Sequence, residues 1–320
     1  MSKHSLGAYK ILLRMRTART LLVEGESDKN VMLRILLEHA VENRSIVDRP
    51  AIDTPSLLSD AVLFGLGHKQ QVELIADTIP SDQDKFMALV DREWEAFDVE
   101  ALQMSDIEDE YPSPNETKHR TFGHSIENYF FESSTLLSLL RRQLANQMTP
   151  EILRFINEHF AGICSLALAY SIAAKELLII SRLSGLLSRR HITLCDSHFW
   201  LNEEFSKCLE RRGVLPEIAE EFILSERFIQ QKIAEQAVAI GTMKWASHGH
   251  LGNEAIWCCV AKILELSGVE ADACEKIERG MQVDKLKHGA DALANSENER
   301  RPLDWLARWL LGLEGVHAAA

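Results

Sequence analysis

Over residues 20–90 the chain alternates between two hydrophobic rhythms. Residues 20–23 (TLLV) form a short unbroken apolar run, as expected of a buried strand. In 28–42, Met32, Ile35, Leu36 and Ala40 recur at helical spacing and predict a helix. Residues 46–53 read as a second strand, with Pro50 marking an edge or a bulge. A second helix is predicted over 68–79, where Val72, Ile75 and Ile79 share a face. Residues 86–90 (FMALV) read as a third strand, ending on Asp91. The acidic stretch 105–119 carries two prolines and reads as an exposed loop, and 120–123 predicts a fourth strand. Strands alternating with helices favour an α/β sheet.

From about residue 133 the pattern changes to successive helical runs: 134–147, 150–160, 164–188, 201–212, 216–240, 253–267, 272–287 and 302–313. Only 191–195 carries a weak strand pattern. The expected plan is an α/β domain over 1–132 followed by a largely α-helical domain over 133–320. The most apolar stretch, 161–187, is interrupted by Lys175, Glu176 and Arg182. A membrane span wants about 20 residues with few or no charges, so this stretch reads as buried helix.

Composition changes this picture little, but charge matters. The chain has 320 residues, 46% of them hydrophobic, and a net charge of −13. That balance argues against a broad nucleic-acid-coating surface, because phosphate affinity comes mostly from Lys and Arg. It leaves room for nucleic acid handled at a metal site, where the cation supplies the positive charge and carboxylates hold it. The six cysteines form no CxxC pair, and with no signal sequence the expectation is reduced thiols in a cytoplasmic protein.

Two apolar strands of the α/β half end on acids: LLV on Glu24 and MALV on Asp91. In open α/β sheets, ligands sit outside the carboxyl ends of the strands. If the two strands are parallel neighbours, Glu24 and Asp91 converge. Gly25 would allow a tight turn into the following helix. Asp28 sits at that helix's start, as a cap or facing the same cleft. Glu93 makes a D-x-E pair with Asp91 whose side chains point the same way if the chain stays extended. Glu26 is the rival for Glu24's role. Taken singly, Asp28 is the more ordinary helix cap, and Glu93 and Glu95 are ordinary solvated charges. Together, carboxylates gathered at one edge repel one another unless a cation joins them, which points to Mg²⁺ or Mn²⁺ with oxygen ligands.

VEGESD (23–28) followed by LVDREW (89–94) resembles a TOPRIM domain, the metal-binding fold of topoisomerases, primases and OLD-type nucleases. Glu93 stands where that family usually has the second Asp of D-x-D, one methylene longer and still an oxygen ligand. HSIENYFF (124–131) resembles a segment of a bacterial TOPRIM-like family found beside ABC-type ATPases, whose best-known members are the effector subunits of PARIS-type phage defence. SHGHLGNEAIW (247–257) is similar to a short Gly-His segment late in such proteins. The resemblance implies a mainly parallel TOPRIM-like sheet flanked by helices. It implies Glu24 as catalytic acid or base and a ligand, Asp28, Asp91 and Glu93 as metal ligands, and Glu127 as a further carboxylate, catalytic or metal-holding. Asn128 would be a neighbouring polar contact.

The histidines and basic residues add weaker expectations. His124, Lys244, His248 and His250 are candidate substrate contacts, each set against a structural role. His248 and His250 lack Cys or His partners at zinc spacing. The doublets Arg189–Arg190, Arg211–Arg212 and Arg300–Arg301 are more often solvated helix faces, or part of a substrate groove.

Two functional expectations follow. The first is a Mg²⁺-dependent TOPRIM endonuclease, the toxic effector of an anti-phage pair. It would be released by an ABC-type ATPase partner and act on RNA, tRNA in particular, or on DNA, as a homodimer. The second is a non-catalytic TOPRIM-scaffold subunit that docks an ATPase. No membrane association is expected under either.

Overall fold

A computed structural model describes residues 3–43, 50–80, 84–105, 116–279, 293 and 300–313. The chain divides into two compact units, each discontinuous in sequence. The first comprises the described residues of Met1–Arg92, Asp106–Phe122 and Leu293–Ala320; the second those of Glu93–Ser105 and Gly123–Ala292. Segments 93–105 and 123–132, grouped with the α/β domain on sequence, therefore cluster with the helical unit, and the C-terminal helix clusters with the sheet.

The first unit is built on a four-stranded parallel sheet. Its strands are β1 (Thr20–Leu22), β2 (Ala51–Asp53), β3 (Phe86–Val90) and an edge strand Lys118–Arg120, in spatial order β2, β1, β3, edge strand. β3 is buried along its whole length, which is why it reads as a continuous apolar run rather than an alternating one. Leu22, Phe86, Ala88 and Val90 pack on α1 (Leu6–Met15) and α3 (His68–Thr78) through Tyr9, Leu13, Val72 and Ile75. The helix α2 (Glu26–Glu42) packs against the helix Leu303–Leu310. Ion pairs fasten that contact: Arg300 to Glu38 at 2.6 Å and to Asp304 at 2.9 Å, with His39 Nε2 2.8 Å from Asp304. Arg300 thus serves the fold, and Arg301 lies over the Phe122 ring at 5.6 Å.

The second strand lies at an edge of the sheet, as Pro50 suggested; it runs Ala51–Asp53, and residues 46–49 of the expected 46–53 strand lie outside the described residues. The sheet departs from the sequence expectation at its other edge. The fourth strand is Lys118–Arg120, displaced toward the N-terminus from the expected 120–123. His119 pairs with Leu89 and is buried in the sheet.

The second unit wraps helices around Phe160–Glu176, which is buried on nearly every side. Helices Pro216–Glu235, Ile240–Ala246 and Gly249–Leu266 pack against it, together with a hairpin of Ile192–Cys195 and His198–Leu201. Gly162 permits that hairpin's close approach, since a Cβ there would lie 2.2 Å from the Ser197 carbonyl oxygen. Three local features differ from the helical reading. The run 164–188 is broken, with Leu178 at φ 57°; Leu201 is strand rather than helix; and 216–240 ends at Glu235, with Ala237 at φ 49°. No single described helix is long and apolar enough to cross a membrane. The bent pair Pro150–Glu158 and Phe160–Glu176 passes on length and composition, yet Phe160–Glu176 forms the buried centre of this unit.

Candidate functional site

The sheet places two acids side by side. β1 and β3 are hydrogen-bonded parallel neighbours with Leu22 opposite Ala88, so the chain beyond each strand leaves from the same edge. There Glu24 Oε1 accepts the backbone N–H of Asp91 at 2.7 Å. Both residues are half-buried, while Glu26 is exposed, with Thr54 Oγ1 3.5 Å from its carboxylate. Glu24 rather than Glu26 is therefore the acid turned toward β3.

The rest of the rim set is arranged differently. Asp28 is buried in the first turn of α2, and its Oδ2 accepts the Gly25 N–H at 2.9 Å. That position suits a carboxylate twice, through the amide and through the positive end of the helix dipole. Gly25 caps the helix in extended backbone, φ −148° and ψ 178°, which any residue adopts, so the turn does not require glycine as expected. Glu93 is exposed with φ 56°, a left-handed conformation. The extended backbone that would align a D-x-E pair is absent at this residue. Glu93 belongs to the second unit, where its N–H donates to the His124 carbonyl at 2.7 Å.

Asp53 also ends a strand, and sequence reasoning did not single it out. It is buried, receives Arg16 Nη1 at 2.5 Å and accepts the Tyr9 hydroxyl at 3.0 Å. Burial and then the Asp53 charge hold the Tyr9 hydroxyl well above its ordinary pKa. Asp53 is thus a strand-end acid already neutralised by protein.

The described residues limit how a metal could be held at this rim. Among the described residues, no group of three His, Cys, Asp or Glu side chains could hold a metal ion. Mg²⁺ commonly takes one or two protein carboxylates and keeps several waters. Glu24 and Asp91 suit that water-rich arrangement, and a dense cage of protein ligands does not form.

The two segments 124–131 and 247–257 meet in the second unit as a polar clasp. Asn128 is fully buried and uses every hydrogen-bonding position. Its Oδ1 accepts Ser125 N–H at 2.8 Å and Ser125 Oγ at 3.1 Å, and its Nδ2 donates to the carbonyls of Lys244 (2.6 Å) and Ser247 (2.8 Å). No position is left for a substrate contact. Glu127, also buried, shares the one Ser125 hydroxyl proton with Asn128, its Oε2 accepting at the shorter 2.7 Å, and lies 3.3 Å from His250 Nδ1. Gly249 is required here, because a Cβ would fall 1.9 Å from Ser125 Oγ and 2.7 Å from Glu127 Oε2. The helix Gly249–Leu266 thereby brings its N-terminus to the Glu127 carboxylate, a favourable pairing with the helix dipole.

The remaining candidates frame the clasp. His248 caps that helix, Nδ1 accepting the Leu251 N–H at 3.4 Å, and burial, then His250, push its pKa down to about 4. The His124 ring lies tilted against His248, centroids 4.7 Å apart, and meets Trp94 edge-on at 4.9 Å. Lys244 is buried, ion-paired to Glu132, with its ammonium 3.9 Å over the Trp245 ring. Of these residues only His250 is largely exposed, at 75% of its side chain. Of the basic doublets, Arg189 is buried between Glu265 (3.1 Å) and Glu278 (2.5 Å). Arg190, Arg211 and Arg212 line a cavity of the same unit.

No protein-family profile matches the chain, and no curated protein matches it significantly.

Proposed function

We propose that the rim carrying Glu24 and Asp91 is the divalent-metal centre of a phosphodiesterase acting on nucleic acid. The observation that carries the reading is the Glu24–Asp91 contact at the carboxyl ends of adjacent parallel strands, the edge where open α/β sheets bind ligands. A bound Mg²⁺ or Mn²⁺ would supply Lewis acidity at a phosphate oxygen and a hydroxide at neutral pH. Glu24 and Asp91 would hold it. Glu24, held at the strand end by the Asp91 amide, would act as a ligand or take a proton from attacking water. Asp28 holds the α2 N-terminus and so positions the chain leaving β1. The resemblance to TOPRIM effectors supports RNA, tRNA in particular, as the substrate and an ABC-type ATPase as the partner that restrains the chain.

A second reading, a non-catalytic subunit on the same scaffold, draws support from the lack of any three-ligand cluster among the described residues. Purified full-length chain incubated with Mg²⁺ or Mn²⁺ and separate pools of tRNA, other RNA and DNA distinguishes the two. Cleavage that disappears in Glu24→Gln and Asp91→Asn, alongside loss of Mn²⁺ binding by electron paramagnetic resonance, supports the phosphodiesterase. Wild-type protein that binds no Mn²⁺, and that is no more toxic in cells than Glu24→Gln, sinks it.

A further inference from the structure

The helical unit contains a cavity of about 630 Å³, within the size range of pockets that enclose small ligands. Four stretches far apart in sequence build it: 185–191, the C-terminal end of helix Glu203–Arg211, the second turn of Gly249–Leu266 and the end of Ala271–Arg279. Arg190, Arg211, Arg212 and Arg279 line it and are exposed to solvent. Arg190, Arg211 and Arg212 make no ion pair within 4 Å among the described residues. Arg279 comes no nearer than 3.7 Å to Glu278, whose other oxygen is held by Arg189 at 2.5 Å. In a chain of net charge −13, acids are abundant, so Arg190, Arg211 and Arg212 do not lack an ion pair for want of partners. Glu254 and Glu278 also line the cavity, so four arginines face two acids, and that excess of positive charge around one concavity is unfavourable unless an anion sits among them.

The floor is polar and fixed. Glu254 accepts the N–H groups of Gly185 (2.9 Å) and Leu187 (2.7 Å), which pins the loop carrying Arg190 to the helix Gly249–Leu266. Burial raises the Glu254 pKa to about 7. Ser188 donates its N–H to His191 Nδ1 at 3.1 Å, so the neutral His191 ring carries its proton on Nε2, directed at Cys208 Sγ 3.3 Å away. Burial lowers the His191 pKa and favours that neutral ring. The thiol therefore lies in the cavity wall, held by an imidazole donor.

We propose that this cavity binds a nucleoside di- or triphosphate, with the phosphates on Arg190, Arg211, Arg212 and Arg279. Guanidinium forks match phosphate oxygens two by two, and four of them match the three to four negative charges of such a tail. The volume exceeds what a phosphate chain alone would fill, leaving space for a nucleoside over the floor. This site lies wholly within the helical unit and does not depend on the metal-centre reading.

The test is calorimetric titration of the full chain with ATP, GTP, pyrophosphate and a 5′-phosphorylated oligonucleotide in the presence of EDTA, which removes any contribution from a metal site. We expect ATP or GTP to bind more tightly than pyrophosphate. Arg211→Ala/Arg212→Ala should weaken binding about tenfold or more, from the loss of charge-assisted hydrogen bonds. Arg141→Ala/Arg142→Ala, an exposed doublet elsewhere in the same unit, and Glu24→Gln should leave it unchanged. In parallel, the nucleotide should slow iodoacetamide alkylation of Cys208 and not that of exposed Cys195, read by mass spectrometry. The proposal is overturned if neither nucleotide binds at millimolar concentration. It is equally overturned if the Arg141/Arg142 control loses as much affinity as the cavity variant, or if only a 5′-phosphorylated oligonucleotide binds, which would make the arginines a nucleic-acid face.

Discussion

The rim of the first unit and the clasp of the second carry similar side chains and use them in opposite ways. In the clasp, Asn128, Ser125 and Glu127 bond to one another and to the backbone carbonyls of Lys244 and Ser247. Those bonds lie in a buried setting where an unmade partner is costly, so the clasp is a device for holding helices together. At the rim, Asp53 is likewise consumed, by Arg16 and Tyr9, while its neighbour Glu24 reaches across to the adjacent strand end, where Oε1 accepts the Asp91 N–H. A carboxylate whose counter-charge is built into the protein serves the fold. The proposed metal centre assigns Glu24, at a sheet edge beside a second strand-end acid, to the other use. The density of polar residues in a motif does not distinguish these cases; their hydrogen-bond partners do.

Four experiments break or sharpen that contrast. The largest effect belongs to Glu24→Gln, which keeps an oxygen for the Asp91 amide. It should cut phosphodiesterase activity about 10²–10⁴-fold, the usual worth of a positioned acid or base, while urea denaturation shifts by less than about 1 kcal/mol. A large stability loss would place Glu24 with Asp53 as a structural acid. Asn128→Ala should do the reverse, destabilising the protein by about 3 kcal/mol in urea, because two carbonyls and an amide lose their partner. A near-neutral result would remove the distinction drawn here. Gly249→Ala should cost about 1–3 kcal/mol by overpacking against Ser125 and Glu127, measured in the same way.

The most selective effect is a pH dependence that arises in the second unit. Glu226 is fully buried, and burial raises its pKa from 4.5 to about 8. A carboxyl with a raised folded-state pKa stabilises the fold fully below the unfolded value, and that contribution is lost as pH rises through the folded value. Wild-type stability should therefore fall between about pH 4.5 and 8 relative to Glu226→Gln, with the gap closing at the acid end. Urea midpoints for the two proteins at intervals across that range give the comparison. On the acid side, both units carry a buried His held near pKa 4, His119 in the first and His248 in the second. Each contribution is present above 6.5 and lost as pH falls through 4.

Much of the sheet was legible because buried parallel strands are short apolar runs that need no partner to be recognised. The 86–90 prediction coincides with β3, and 68–79 overshoots its helix by one residue. The fourth strand was misplaced because Lys118–Arg120 is two-thirds charged and becomes a strand only by pairing with β3. The strand His198–Leu201 went unread for a related reason. It exists through its hairpin partner and the clearance over Gly162. In the site, the convergence of Glu24 and Asp91 was readable as a condition on strand adjacency, and the sheet order meets it. The left-handed backbone at Glu93 was not readable, since nothing local demands it.

The sequence by itself determined the alternation of strand and helix, the acids at the strand ends and the helical character of the second half. Each of these depends on local periodicity or on neighbours within a few residues. The tertiary structure alone decided which acids are neutralised, that residues 124–131 close on 247–257, and that arginines from four stretches surround one cavity. Those outcomes depend on contacts between residues as many as 119 positions apart, and hydrogen-bond satisfaction and charge pairing are properties of such contacts rather than of the residues alone.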